Sequence, residues 1–452
     1  MKSPWPSAFL NNDWLCNFRH DTFLLLLNHI IAYWQNIQLI SKELYGYKAI
    51  IFPILRAKST QNSTLEPPKD STEIVFFGRY DIMRIGEANN TMKAQKLNKG
   101  DKIAIVSLSR GLLGMPFCKH ELDIAIRRLE EYGLIPVIMP NALKDMEYLQ
   151  DHPELRASDL KQAFVDTSIK GIICAIGGDD TYRTIPYLME DETFIDAVKN
   201  NPKIFVGYSD ATNNHLMLNK LGLSTFYGPC LLSDLAELDK EMLPYTKQYF
   251  EKLFINEPSF EITSSPIWYY DRESYGIEEV GKPRKSQKEQ HGFEVLNGNG
   301  KITGKLYGGC LESLYDAYTG ERHSDENEIY IRYNILPTLD EWKEKILFIE
   351  TSEEKMHPEK LEIVLNFFKD NKILESVKGI IVGKPMDEKY YEEYKQVYRK
   401  VFADLETPVL YNVNFGHSVP RCIIPYDADT IIDFDAKKII IDSPMFEKKA
   451  RR

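Results

Sequence analysis

Cysteine, a surplus of positive charge and long apolar runs are what this chain has little of. Its six cysteines in 452 residues (Cys16, Cys118, Cys174, Cys230, Cys310 and Cys422) lie far apart with no CxxC pair. That spacing argues against a disulfide framework or a zinc site and predicts reduced core thiols in a cytoplasmic setting. Acidic residues outnumber basic ones, 67 to 56, for a net charge of −11, so a partner made of nucleic acid polymer is not expected: phosphate neutralisation needs a basic face. The one stretch resembling a membrane segment, Phe23 to Trp34, contains Asn28 and His29. It falls short of the ~20 apolar residues that span a bilayer and lacks a small-residue cleavage site, which predicts a buried or interfacial helix and no membrane partner. A composition of 43% hydrophobic and 27% charged residues is ordinary for a globular protein.

What is present is an alternation of strands and helices. Residues 1–91 lack it and read as an appended segment; Met92 looks like the start of a compact domain. Residues 92–256 read as a first domain, with strands at Ile103–Leu108, Leu134–Met139, Gly171–Ile176, Lys203–Tyr208 and Ser224–Tyr227. Leu122, Ile126 and Leu129 mark a helix ending at Gly133, Ser158 reads as the cap of another through Val165, and a third runs from Ser209-Asp210-Ala211 to Leu221. The fold class is therefore α/β, with a parallel sheet and ligands beyond the carboxyl ends of its strands. Residues 257–300, rich in Ser, Pro, Tyr, Gly and charge, read as a linker and substrate-covering loop containing Trp268. A smaller C-terminal α/β domain, 301–447, follows: a turn at Gly304–Gly309, strands Lys345–Ile349, Gly379–Val382 and Val409–Asn412, helices Pro358–Asp370 and Lys389–Phe402, and a hairpin around Asp433–Lys438.

The most informative feature is the run from Gly171 to Arg183, in which an apolar strand breaks at Gly177-Gly178 and enters Asp179-Asp180-Thr181. Glycines there let a ligand approach the backbone, and the following helix aims N–H groups at an anion. Glu350 ends the strand KILFIE and His417 lies in the loop after another strand. An acid and a histidine at strand ends, with a hydroxyl at a third, is the arrangement of an acyl-transfer triad. Each piece has a plainer reading: a tight βα turn for the glycine pair, a loop hydrogen bond for His417, a helix-terminal carboxylate for Glu350 as for Glu353 and Glu354, a helix cap for Ser209-Asp210, and packing for Trp268.

Seven ordered motifs carry a family resemblance: IAIVSLSRG at 103–111, AIGGDDTYRTIPYL at 175–188, IFVGYSDAT at 204–212, FYGP at 226–229, GKLYGGCLESL at 304–314, ILFIETSEE at 346–354 and NFGHSVP at 414–420. Together they resemble the LD-carboxypeptidase family, and within it the branch of microcin C immunity proteins. The resemblance runs from about Lys96 to Asp442 and leaves residues 1–91 outside. It implies a nucleophile domain and a smaller C-terminal domain with the active site in the groove between them, commonly a homodimer, and no metal or cofactor. The implied chemistry is hydrolysis of an amide next to a free carboxylate, in a murein peptide or a peptidyl-nucleotide.

By this resemblance Thr181 takes the nucleophile position, Glu350 that of the acid and His417 that of the base. The backbone N–H groups of Gly178 and Tyr182 are expected at the oxyanion, and Ser209, Asp210, Gly309 and Trp268 around the substrate. Threonine stands where family members carry serine, and its extra methyl restricts χ1 and crowds the carbon under attack. Two functions follow: a hydrolase with a threonine nucleophile, or a catalytically silent relative that binds peptide or nucleotide conjugates. A third reading compares GGDDT to the phosphate-binding GGDGT turn of certain kinases, which leaves Glu350 and His417 without a role.

Overall fold

The computed structural model describes residues 91–447, so Cys16 and the apolar run Phe23 to Trp34 lie outside the described residues. The first sheet is built from β1 (Lys102–Val106), β2 (Ile135–Ile138), β3 (Ile169–Cys174), β4 (Ile204–Gly207) and β5 (Phe226–Tyr227). These strands are parallel and lie in the spatial order β5-β4-β3-β1-β2. β3 and β4 are buried almost throughout, as strands covered by helices on both faces must be.

The second sheet has a parallel centre of β10 (Lys301–Cys310), β11 (Lys345–Glu350), β12 (Gly379–Gly383) and β13 (Val409–Val413). Antiparallel strands extend both edges: β9 (Glu294–Asn297) beside β13, and β15 (Asp429–Asp433), β16 (Lys438–Ile441) and β6 (Phe260–Ile262) beyond β10. A short ribbon, β7 (Ile267–Tyr269) with β8 (Ser286–Lys288), stands apart from both sheets. β14 (Ile424–Pro425) returns to the first sheet and pairs with β5, so the C-terminal part of the chain closes the edge of the N-terminal sheet.

Several local expectations are corrected. Gly304–Gly309 is the middle of the ten-residue strand β10, not a turn. The helix assigned to Ser158 starts at Pro153 (α2, Pro153–Val165), a residue whose fixed φ suits the first helical position. Residues 257–300 supply strands to the second sheet as well as loop. α1 (Lys119–Glu131) turns Ile124, Ala125, Arg128 and Leu129 to the core, while Leu122 and Ile126 are half-buried. α3 (Ala211–Lys220) packs on both β5 and β10 and so ties the two sheets together. Among the described residues no helix is long and apolar enough to cross a membrane, and the five described cysteines are free and buried.

Candidate active site

Ser209 follows β4 in the turn Tyr208-Ser209-Asp210 that leads into α3, and its backbone has φ +64. A non-glycine residue rarely occupies the left-handed region, and such strain of ~1–3 kcal/mol persists where surrounding structure imposes it. A sharp strand-to-helix turn of this kind lifts a hydroxyl above the sheet. Glu350 is the last residue of β11, and His417 lies in the loop beyond β13. A side chain at Gly416, where φ is +70, would strike Glu350, so glycine lets this loop close over the carboxylate.

His417 Nδ1 lies 2.8 Å from Glu350 Oε2, the His417 N–H donates to the same oxygen at 3.0 Å, and His417 Nε2 is 3.1 Å from Ser209 Oγ. The Tyr227 hydroxyl donates to Glu350 Oε1 at 2.6 Å and accepts from the Ser209 N–H at 3.0 Å. Tyr227 thus ties the acid of one sheet to the elbow of the other. The sequence reading missed it. FYGP carries only a family resemblance, and nothing local marks which tyrosine of 26 reaches a carboxylate 123 residues away.

Thr181 does not meet His417. Its hydroxyl donates to the Leu108 carbonyl at 2.8 Å and lies 3.2 Å from Asn214 Oδ1, in a fully buried position. The pairing expected of Thr181 belongs to Ser209, which had been placed around the substrate. Asp210 is likewise no cavity residue: its buried carboxylate accepts from the Thr181 N–H at 2.9 Å and from Asn213 Nδ2 at 2.7 Å. Asp180 pairs with the buried Arg156 at 2.6 Å and with Arg183 at 3.1 Å. The GGDDT run therefore builds a wall behind the elbow. Gly177 is part of that wall because a Cβ there would collide with the Ser209 side chain.

Tyr182 is buried with its hydroxyl on Asp325 at 2.7 Å and does not line the cavity. Trp268 is buried against Tyr270, ring centroids 4.6 Å apart, with the Lys384 ammonium over its face, and is not a cavity residue either. At Gly309 a Cβ would meet Thr212, so this glycine brings β10 against α3 and does not touch a ligand site. Gly178 does line the cavity. Its N–H and that of Asp210 have no protein acceptor among the described residues. The Asp210 N–H belongs to the Ser209 turn, and Gly178 follows Gly177, whose Cβ would strike the Ser209 side chain.

The cavity in front of Ser209 measures 440 Å³ and is walled by Arg110, Phe117, Glu121, Tyr208, Tyr275 and Arg421 among others. Loop 271–284 supplies Asp271, Tyr275, Gly276 and Arg284 to its rim. Glu353, which the sequence suggested as a helix-terminal carboxylate, sits instead on the loop between β11 and the helix Pro358–Asp370. Its Oε2 lies 2.9 Å from His417 Nε2. Burial alone would push the His417 imidazole down, but the carboxylates of Glu350 and Glu353 outweigh it and hold it at about 10. The same hydrogen bond to His417 draws Glu353 down to about 2. This arrangement favours the protonated ring.

Among the described residues one group of side chains has the geometry to hold a metal: Cys310, Glu350 and His417 place their donor atoms within 4.8 Å of one another. These donors are already engaged, Glu350 with Tyr227 and His417, and Cys310 with Glu312 Oε2 at 3.4 Å. Burial raises the Cys310 thiol well above its ordinary range, away from the thiolate a metal needs.

The sequence profile of the LD-carboxypeptidase N-terminal domain matches residues 103–228, and that of the C-terminal domain matches 303–432. A protein of Bacillus subtilis (strain 168) described as a probable murein peptide carboxypeptidase is 28% identical over 364 residues, covering 78% of this chain and 96% of its own. The microcin C7 self-immunity protein of Escherichia coli is 28% identical over 296 residues, covering 63% of this chain and 77% of its own. Among solved structures, an MccF-like protein from Streptococcus pneumoniae in complex with AMP superposes with a TM-score of 0.72 at 44% identity, covering 77% of this chain and all of that one.

Proposed function

Because this chain belongs to the LD-carboxypeptidase family, we propose that it is a peptidase whose nucleophile is Ser209, with His417 as general base and Glu350 holding the imidazole in place. The observation that carries this reading is the chain of contacts from Ser209 Oγ to His417 Nε2 at 3.1 Å and from His417 Nδ1 to Glu350 at 2.8 Å. Serine at the strained elbow favours a hydrolase over a silent relative, since no threonine methyl crowds the attack.

In the proposed reaction Ser209 Oγ attacks the acyl carbon while its proton passes to His417 Nε2. The tetrahedral oxyanion accepts hydrogen bonds from the Gly178 and Asp210 N–H groups, donors fixed before the charge develops. His417 then gives the proton to the leaving amine. Water, deprotonated by the same nitrogen, cleaves the acyl-enzyme and restores Ser209. Glu350 keeps Nδ1 protonated and offsets the charge that the ring gains.

The substrate class we favour is a peptidyl- or aminoacyl-nucleotide. It is supported by the AMP bound to the Streptococcus pneumoniae relative and by an aspartyl sulfamoyl adenosine complex of a microcin C7 self-immunity protein, 25% identical with a TM-score of 0.66. A murein peptide is the second reading, favoured by the similarity that spans 96% of the Bacillus subtilis protein. The test is to incubate the protein and its Ser209→Ala variant with an aminoacyl-nucleotide conjugate and with murein tetrapeptide, and to follow products by mass spectrometry. Release of amine or nucleotide by the first protein and not by the variant is expected. Equal release by both removes Ser209 from the mechanism.

A further inference from the structure

His417 Nε2 has two claimants. Ser209 Oγ is 3.1 Å away and Glu353 Oε2 2.9 Å away, while Nδ1 is engaged by Glu350. A base must present a lone pair to the serine hydroxyl, and a ring that donates to carboxylates from both nitrogens has none. Glu353 must therefore leave His417 before Ser209 can be deprotonated. It has room to do so: its side chain is 59% exposed, on a loop, at the wall of the cavity.

What draws it away follows from the other charges there. Arg421 is held by Asp234 and Arg284 by Glu237, whereas Arg110 has no ion-pair partner among the described residues and is the cation whose charge also acts on Glu353. A guanidinium without an ion-pair partner and a displaceable carboxylate lining the same cavity as Ser209 suit a ligand that carries both signs of charge, as an amino-acid head group does. We propose that Glu353 is a specificity-determining residue that receives a free ammonium group of an aminoacyl substrate, and that its transfer from His417 to this ammonium frees the imidazole to act as base. The ammonium keeps its three protons, and the proton on His417 Nε2 passes to solvent water when the carboxylate departs. This inference rests on the hydrolase reading of the site but is testable without turnover.

The experiment measures binding of aspartyl sulfamoyl adenosine and of its Nα-acetyl derivative to Ser209→Ala protein by calorimetry, with and without Glu353→Gln, and follows His417 by NMR titration in the same samples. The free-amine ligand is expected to bind at least ten-fold more tightly than the acetylated one, and Glu353→Gln to remove that preference. The His417 titration is expected to move to lower pH in Glu353→Gln, and in Ser209→Ala on binding the free amine but not on binding the acetylated ligand. Equal binding of the two ligands, no binding of either, or a preference that survives Glu353→Gln overturns the proposal. A clear preference in a protein that hydrolyses nothing would leave the ammonium site standing and overturn the hydrolase reading alone.

Discussion

Two neighbouring turns in the first sheet are written in nearly the same residues and do different work. After β3 the chain reads Gly177-Gly178-Asp179-Asp180-Thr181, and after β4 it reads Gly207-Tyr208-Ser209-Asp210. Each offers glycine, an acid and a hydroxyl at the carboxyl end of a parallel strand. At the first turn the hydroxyl is spent on the Leu108 carbonyl and the acid Asp180 on Arg156. At the second the backbone is forced to φ +64 and the hydroxyl faces an imidazole. The turns are also coupled, since Asp210 of the second accepts the Thr181 N–H of the first. A hydroxyl's chemistry is thus decided by its partners, and one turn is the foundation on which the other is strained.

The comparison breaks most directly at Ser209. Ser209→Ala is expected to lower kcat by ~10⁴-fold or more, as removal of a triad nucleophile does, with an unchanged urea unfolding midpoint. A variant that keeps its rate would return the nucleophile to some other group. The opposite pattern is expected at the first turn. Asp180→Asn leaves the Arg156 guanidinium, whose side chain is 0% exposed, without its countercharge. Breaking a buried pair from one side costs ~3–5 kcal/mol, which urea unfolding would read as a large fall in midpoint.

The next effect in size is a pH dependence of stability. His417 is raised in the folded protein from 6.5 to about 10. A base so raised contributes stability that is fully present below the unfolded value of 6.5 and is lost as pH rises through about 10. Unfolding free energy is therefore expected to fall between those limits, and the fall to shrink in His417→Gln. Denaturant titrations near pH 6, 8 and 10 on both proteins check this; parallel curves would show that the two carboxylates do not hold a proton on the ring.

Much of this was legible in the chain. Strand-ending glycines, the acid closing KILFIE and the histidine after β13 are local features, because parallel strands put their ligand-facing residues at one end. Helix Pro358–Asp370 is equally plain from its apolar spacing and leading proline. What was not legible depends on contacts between distant segments. Ser209 reads as a helix cap because the imidazole it faces is supplied by a segment 208 residues away, and Thr181 reads as a nucleophile because its burial does not show in a string. Tyr227 and Glu353 are ordinary residues until the sheets bring them to Glu350 and His417. The Gly304–Gly309 run misled in the other direction: glycines that serve as turn formers elsewhere here sit inside β10, where Gly309 makes room for Thr212 of α3.

The smallest expected effect is the sharpest on the comparison. Thr181→Ser keeps the hydroxyl that donates to Leu108 and removes one methyl from a site with no solvent exposure. Losing a buried methyl costs ~1 kcal/mol, and the Leu108 carbonyl also accepts from Arg156 at 3.0 Å, so no polar group is stranded. If Thr181 is part of the wall, Thr181→Ser lowers stability by about that amount and leaves kcat/KM within two-fold, roughly the effect of a small shift in a supporting residue. If Thr181 were instead the attacking group, removing its methyl would relieve crowding at the acyl carbon and raise the rate. The sign of the change in kcat/KM for this one variant therefore decides which of the two turns holds the nucleophile, and it does so without removing a hydroxyl from either.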